Sequence, residues 1–356
     1  MGADQRKQCT NIQTGPPNGG RSVKGSVMTR VVGASPVGRR GFLSASIGAL
    51  VAGCAGADGP SADVAGPRLV EIAPGMHTVR GPLSPFDPRH PSVQLRLPRG
   101  VTKPPLLILL HGGGGARDQM NAMALFHAQG VAVLGFDAYR VAGLERDSSF
   151  WIRNATYEAR QRMIYSAALG AYHWATTLES VDTTRIFIHG ISNGADVAAN
   201  LAAVVSPAHV RMVFPEGLAG AGLGLPDRLN VPVRAVFGRL DNFAGDSTTD
   251  WRWARQVPCR QNMAAFDGPS GNAASCNATR NALNRTESPE QWVARQRQSG
   301  ADIDIWFYDD AAHGIFIGPL RIQTIDWPGR TRPANVGASE AARQKLLNDM
   351  LTVIRA

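Results

Sequence analysis

From about residue 93 onward, short apolar runs rich in β-branched residues alternate with longer segments of helical periodicity. Several of the short runs, Leu106–Leu110 among them, have no polar position at all. Such runs read as strands buried on both faces, since a strand covered by helices on each side shows no face to water. The predicted strands are Val93–Leu97, Leu106–Leu110, Val131–Phe136, Arg185–His189, Met212–Pro215, Val233–Phe237 and Ile303–Tyr308. Helices are predicted at Asp118–Gln129, Tyr157–Leu178, Asn193–Val205, Pro289–Ser299 and Ser339–Ile354. This alternation predicts an α/β fold with a mainly parallel central sheet and helices on both faces, in one domain over residues 68–356. Residues 242–288 break the pattern. They are rich in Gly, Asn and Ser and hold Trp251 and Trp253, so a long loop insertion is expected there.

Composition changes the picture mainly at the front. The formal charge of +9 falls unevenly: residues 1–53 carry a net +6 and the remainder only +3. No Lys/Arg-rich run with interleaved aromatics occurs in the body, so a nucleic-acid partner is not expected. Arg39-Arg40-Gly41-Phe42-Leu43 precedes an apolar stretch from Phe42 to Gly53, long enough for an export signal and too short to span a bilayer. The arginine pair resembles the bacterial twin-arginine signal, and Val51-Ala52-Gly53-Cys54 resembles a lipobox. These resemblances imply export machinery as a partner, residues 28–53 as signal, and Cys54 as a lipidated first residue tethered to the membrane through residues 54–67. A plain secretory signal cleaved near Ala55 or Ala57 is the alternative. The expected location is periplasmic, membrane-anchored or secreted. Residues 1–27 are polar and aperiodic, and read as an upstream start-site artefact ahead of Met28 or as an extended n-region. In an oxidising compartment Cys259 and Cys276 are candidates for a disulfide, or for two separate thiols.

The chemistry gathers around Gly190-Ile191-Ser192-Asn193-Gly194. A strand runs into this segment and a helix leaves it, the strand–turn–helix setting of a nucleophile elbow, with glycines where strand and helix crowd together. A serine hydroxyl needs a base, and the base an orienting carboxylate, in the chain order serine, acid, histidine. Asp241 follows the strand Val233–Phe237, and His313 follows the last strand, so Asp241 is assigned as acid and His313 as base. Asp246, Asp309 and Asp310 are rival acids. The run His111-Gly112-Gly113-Gly114-Gly115 after Leu106–Leu110 is the candidate oxyanion loop. The expected donors are the N–H of Asn193 and of Gly113 or Gly114. His111 reads as a structural hydrogen-bonding residue.

These stretches, with Val181-Asp182-Thr183-Thr184-Arg185-Ile186 leading into the elbow and Tyr308 to Gly314 around the base, resemble the dienelactone hydrolase-related branch of the α/β-hydrolases. The resemblance runs from about Val93 to Pro319. It implies the α/β-hydrolase fold, a Ser192–Asp241–His313 triad and ester hydrolysis. Dienelactone hydrolase itself uses a cysteine nucleophile where this chain has Ser192, and the stretch after Asp241 is a further departure. The leading expectation is thus an exported serine hydrolase of small or polymeric carboxylic esters, without cofactor or metal. Alternatives are a serine peptidase, a polyester or polysaccharide-ester depolymerase, and an exported binding protein that has kept only the fold.

Overall fold

Leu106–Leu110 is buried to within 1% along its length, and it lies inside a sheet of seven strands. The computed structural model describes residues 68–73, 76–83, 85–144, 155–220, 222–243, 287–327 and 330–356. In chain order the strands are β1 (Arg68–Ala73), β2 (Met76–Arg80), β3 (Val93–Arg96), β4 (Leu106–Leu110), β5 (Ala132–Phe136), β6 (Ile186–Ile191), β7 (Val210–Glu216), β8 (Val233–Gly238), β9 (Ile303–Tyr308), β10 (Arg321–Trp327) and β11 (Arg330–Val336). The helices are α1 (Met120–Ala128), α2 (Ala138–Val141), α3 (Tyr157–Ala175), α4 (Asn193–Leu201), α5 (Pro289–Gln298) and α6 (Glu340–Arg355). The central sheet has the order β3-β5-β4-β6-β7-β8-β9, with β3 antiparallel to β5 and every other pairing parallel.

Alternate residues of each strand serve opposite faces, as the pleat requires. Leu106, Ile108 and Leu110 pack with Met163 and Ile164 of α3, Val197 and Leu201 of α4, and Trp292 of α5. Leu107 and Leu109 pack on the other side with Met123 and Phe126 of α1 and with Leu346, Leu347, Met350 and Leu351 of α6. Each such side chain removed from water contributes about 1.5–3 kcal/mol, so the two apolar layers dominate the fold's stability. Local signals set the helix starts: the Thr156, Ser288 and Ser339 side chains accept N–H groups of the first turns of α3, α5 and α6. An open sheet of this order with helices on both faces is the α/β-hydrolase fold, as the sequence led us to expect.

Several details differ from the sequence reading. The segment predicted as a helix from Asp118 begins with a 3-10 turn, Ala116–Gln119, and becomes α-helical only at Met120. Predicted β7 is longer, Val210–Glu216, and ends on a buried glutamate. The hairpins β1–β2 and β10–β11 were not anticipated. Neither belongs to the central sheet, and neither has the continuous apolar run by which the buried strands were recognised. Arg39, Arg40, Cys54, Asp246, Trp251, Trp253, Cys259, Cys276 and residues 244–286 of the insertion lie outside the described residues.

Candidate active site

At the end of β6 the backbone turns sharply into α4, and Ser192 at the corner adopts φ 56° and ψ −118°. A non-glycine residue in this region is strained and is held there by its surroundings. The neighbouring glycines show what holds it. A Cβ on Gly190 would lie 2.0 Å from the Gly194 carbonyl oxygen, and one on Gly194 would lie 2.4 Å from that of Leu110 and 2.6 Å from that of His111. Strand β6, helix α4 and the end of β4 therefore meet backbone to backbone. The Ser192 N–H donates to the Glu216 carbonyl at 2.9 Å, and the Ser192 carbonyl accepts from Ala195 at 2.8 Å. Ser192 stands at the N-terminus of α4, whose partial positive charge favours an anion.

The glycine run after β4 folds back beside this corner. Ala138 N–H donates to His111 Nε2 at 2.9 Å, which leaves Nδ1 to donate to the Gly112 carbonyl at 2.8 Å. Fully buried and used at both nitrogens, His111 anchors the loop. Gly112 packs so close that an added Cβ would sit 3.2 Å from Ser192 Cβ, and one on Gly113 would sit 3.2 Å from Asn193 Nδ2. The Gly114 N–H donates to Asp118 Oδ2 at 3.1 Å. Of the two glycines considered as oxyanion donors, Gly114 is thus committed to a side chain. Burial raises the Asp118 carboxyl above its ordinary pKa, against the pull of His111 and the Gly114 N–H.

Asp241 follows β8, and its two oxygens divide their work. Oδ1 accepts the Phe243 N–H at 2.9 Å, and Oδ2 lies 3.0 Å from His313 Nδ1. Both side chains are nearly buried, 8% and 7% exposed. Gly217, at φ 66°, passes beneath the imidazole, where an added Cβ would be 3.0 Å from Nδ1 and from Cε1. Phe243 stacks on the imidazole with ring centroids 4.3 Å apart. Burial lowers the affinity of His313 for a proton, but Asp241, with smaller contributions from Glu216 and Asp118, outweighs it and the pKa ends above the ordinary imidazole value. The rival acids do not share this place. Asp309 is exposed and paired with Arg239 at 3.1 Å, and Asp246 is outside the described residues. Asp310 is exposed, its carbonyl accepting the Ser339 N–H.

Ser192, Asn193, Gly113, Gly114 and His313 line one cavity of about 300 Å³. The chain matches no protein-family model and no curated protein. Among solved structures it is similar to dienelactone hydrolase from Anabaena variabilis, 13% identical over 81% of this chain and 95% of that one, with a TM-score of 0.42. It is similar also to Est1E from Butyrivibrio proteoclasticus, 14% identical over 82% and 100%, TM-score 0.40. A third is esterase 2 of Thermogutta terrifontis, 12% identical over 76% and 91%, TM-score 0.43.

The cavity also has walls that sequence reasoning missed. Asp118, Arg160 of α3, Phe243, and Arg321 and Gln323 of β10 all face it. Arg160 is 7% exposed and donates through Nε and Nη2 to the Ala155 carbonyl, at 3.2 and 3.1 Å. No sequence signal distinguishes it from the other arginines of a helical segment. Phe243 could have been noticed as the aromatic two residues after the acid. Among the described residues no group of three or more His, Cys, Asp or Glu side chains is gathered as a metal site would need.

Proposed function

We propose that the protein is a serine hydrolase of carboxylic esters, with Ser192 as nucleophile, His313 as base and Asp241 as the orienting acid. The observation that carries this reading is the 3.0 Å Asp241–His313 contact beside a strained serine that lines the same cavity. With Nδ1 donating to Asp241, His313 Nε2 is the basic nitrogen. It takes the Ser192 proton as Oγ attacks the acyl carbon, then returns it to the departing alkoxide, leaving an acyl-serine. Water then attacks the acyl carbon as His313 takes its proton; the bond to Oγ breaks, His313 returns the proton to Ser192, and the carboxylic acid leaves. The developing oxyanion is received by the N–H of Asn193 and of Gly113, since Gly114 already donates to Asp118.

The cavity sets the polar side chains of Asp118, Arg160, Arg321 and Gln323 among apolar ones such as Ile191, Phe243, Ile317 and Val336, which suits an ester that carries both apolar and polar groups. Export is proposed on residues 28–53 alone. The test is hydrolysis of short-chain p-nitrophenyl esters together with fluorophosphonate labelling. A pre-steady-state burst, and a label mapped to Ser192 and lost in Ser192→Ala, are the expected results. Absence of both turnover and label overturns the proposal.

A further inference from the structure

Glu216 ends β7 with a carboxylate 1% exposed, in a position that ester hydrolysis by one acid and one base does not require. Burying a carboxylate is costly unless its oxygens are satisfied, so its partners show what it holds. Oε2 lies 2.8 Å from His189 Nε2, on the strand that delivers Ser192. Oε1 accepts the N–H of Ile315, two residues beyond His313. Its backbone carbonyl accepts the N–H of Ser192 itself. The segment after His313 is seated around this contact. Gly314 takes a left-handed conformation, and Phe316 packs edge-on against His189 at 5.8 Å.

We infer that Glu216 is a positioning residue that fixes the His313 loop to the strand end bearing Ser192, and so sets the separation of nucleophile and base. The inference rests on the triad reading proposed above. Glu216 is not a second orienting acid, because both its oxygens are engaged elsewhere while Asp241 meets the imidazole. Its charge is nevertheless felt there. The groups around His313 are Asp241 from the loop after β8, Glu216 from β7 and Asp118 from the 3-10 turn, with His189 behind Glu216 and Arg160 and Arg321 across the cavity.

The experiment compares wild type, Glu216→Gln and Glu216→Asp in the full chain. Readouts are ester kinetics over pH, urea unfolding, and the His313 imidazole titration by NMR, assigned through its loss in His313→Asn. Glu216→Gln keeps the side-chain volume but removes the charge and one of the two accepting oxygens, so the His189 and Ile315 contacts cannot both be kept as they are. It is expected to lower kcat about 10–100-fold with KM within about twofold, as sub-ångström misplacement of reacting groups does. The His313 midpoint should fall by about 0.5 unit or more, and the acid limb of kcat should follow it. Glu216→Asp restores the charge on a shorter arm, so the midpoint should return toward wild type while kcat stays low. A wild-type kcat in Glu216→Gln overturns the inference, and so does a lowered urea midpoint with His313 titrating unchanged. If wild type neither hydrolyses esters nor takes the fluorophosphonate, the proposed function fails by itself. The Ile315 amide, which donates to Glu216, still decides the positioning claim: hydrogen-exchange protection unchanged from wild type in Glu216→Asp overturns it.

Discussion

Ser192 and His313 line the same cavity, yet the chain holds them there by opposite means. The serine corner takes its strand, turn and helix from sixteen consecutive residues, Ile186 to Leu201, which close on one another at Gly190 and on the end of β4 at Gly194. The histidine is held from a distance. Asp241 meets its ring across 72 residues of chain, Glu216 meets the following N–H across 99, and the Gly337 N–H donates to its carbonyl at 2.9 Å. The first arrangement is steric and fails when atoms are added. The second is polar and fails when a partner or a charge is removed.

Substitutions can break this contrast at either end. The largest effect is expected at Ser192, where alanine removes only a hydroxyl from a corner that its neighbours hold in place. Ester kcat should fall by about 10⁴-fold or more while the urea midpoint stays close to wild type. Asp241→Asn should follow, costing about 10³–10⁴-fold in kcat, because the amide orients the wrong imidazole tautomer. Gly194→Ala adds a single methyl where none fits, and should cost about 3 kcal/mol or more of stability by urea unfolding. A fully stable Gly194→Ala variant would show that the corner is not built on steric crowding.

The pH dependence sharpens the polar half. As the proposed base, His313 would work only when neutral, and its raised pKa means activity should rise with pH through a midpoint above the ordinary imidazole value of about 6.5. In Asp241→Asn the residual activity should have this limb shifted to lower pH, since burial then acts with less opposition. The smallest effect is expected at Phe243, whose ring stacks on the imidazole and lines the cavity. Phe243→Leu should change kcat/KM by about fivefold or less, read from steady-state kinetics.

How much of this was legible in the sequence follows the same division. Leu106–Leu110 and the Ser192 elbow announce themselves because their determinants are neighbours along the chain: an unbroken apolar run, and glycines two residues either side of a serine. Asp241 and His313 could be picked out by their order and their places after strands, although nothing local says that they touch. Glu216 and Gly217 could not be found that way. In the run Phe214-Pro215-Glu216-Gly217 they read as a strand ending in a turn, and what ties them to the base, the Ile315 N–H and the His313 ring, lies about a hundred residues downstream. The glycine run was visible as a loop, but its members look alike in sequence. Only the folded position of Asp118 separates Gly114, whose N–H is taken, from Gly113.

The backbone contact between the end of β4 and the first turn of α4 bears on how this protein could be altered. Gly194 rests on the Leu110 and His111 carbonyls with no side chain between, so the Ser192 corner and the end of β4 are held at a fixed distance. Neither can shift without disturbing the central sheet to which β4 and β6 belong. Room for variation lies at Arg321 and Gln323, which line the cavity from a hairpin that shares no strand with that sheet. A library confined to those two positions of β10 could reshape what enters the cavity and leave the Ser192 corner unmoved, whereas β11 is hydrogen-bonded to His313 and to the Asp241 segment through Asn335.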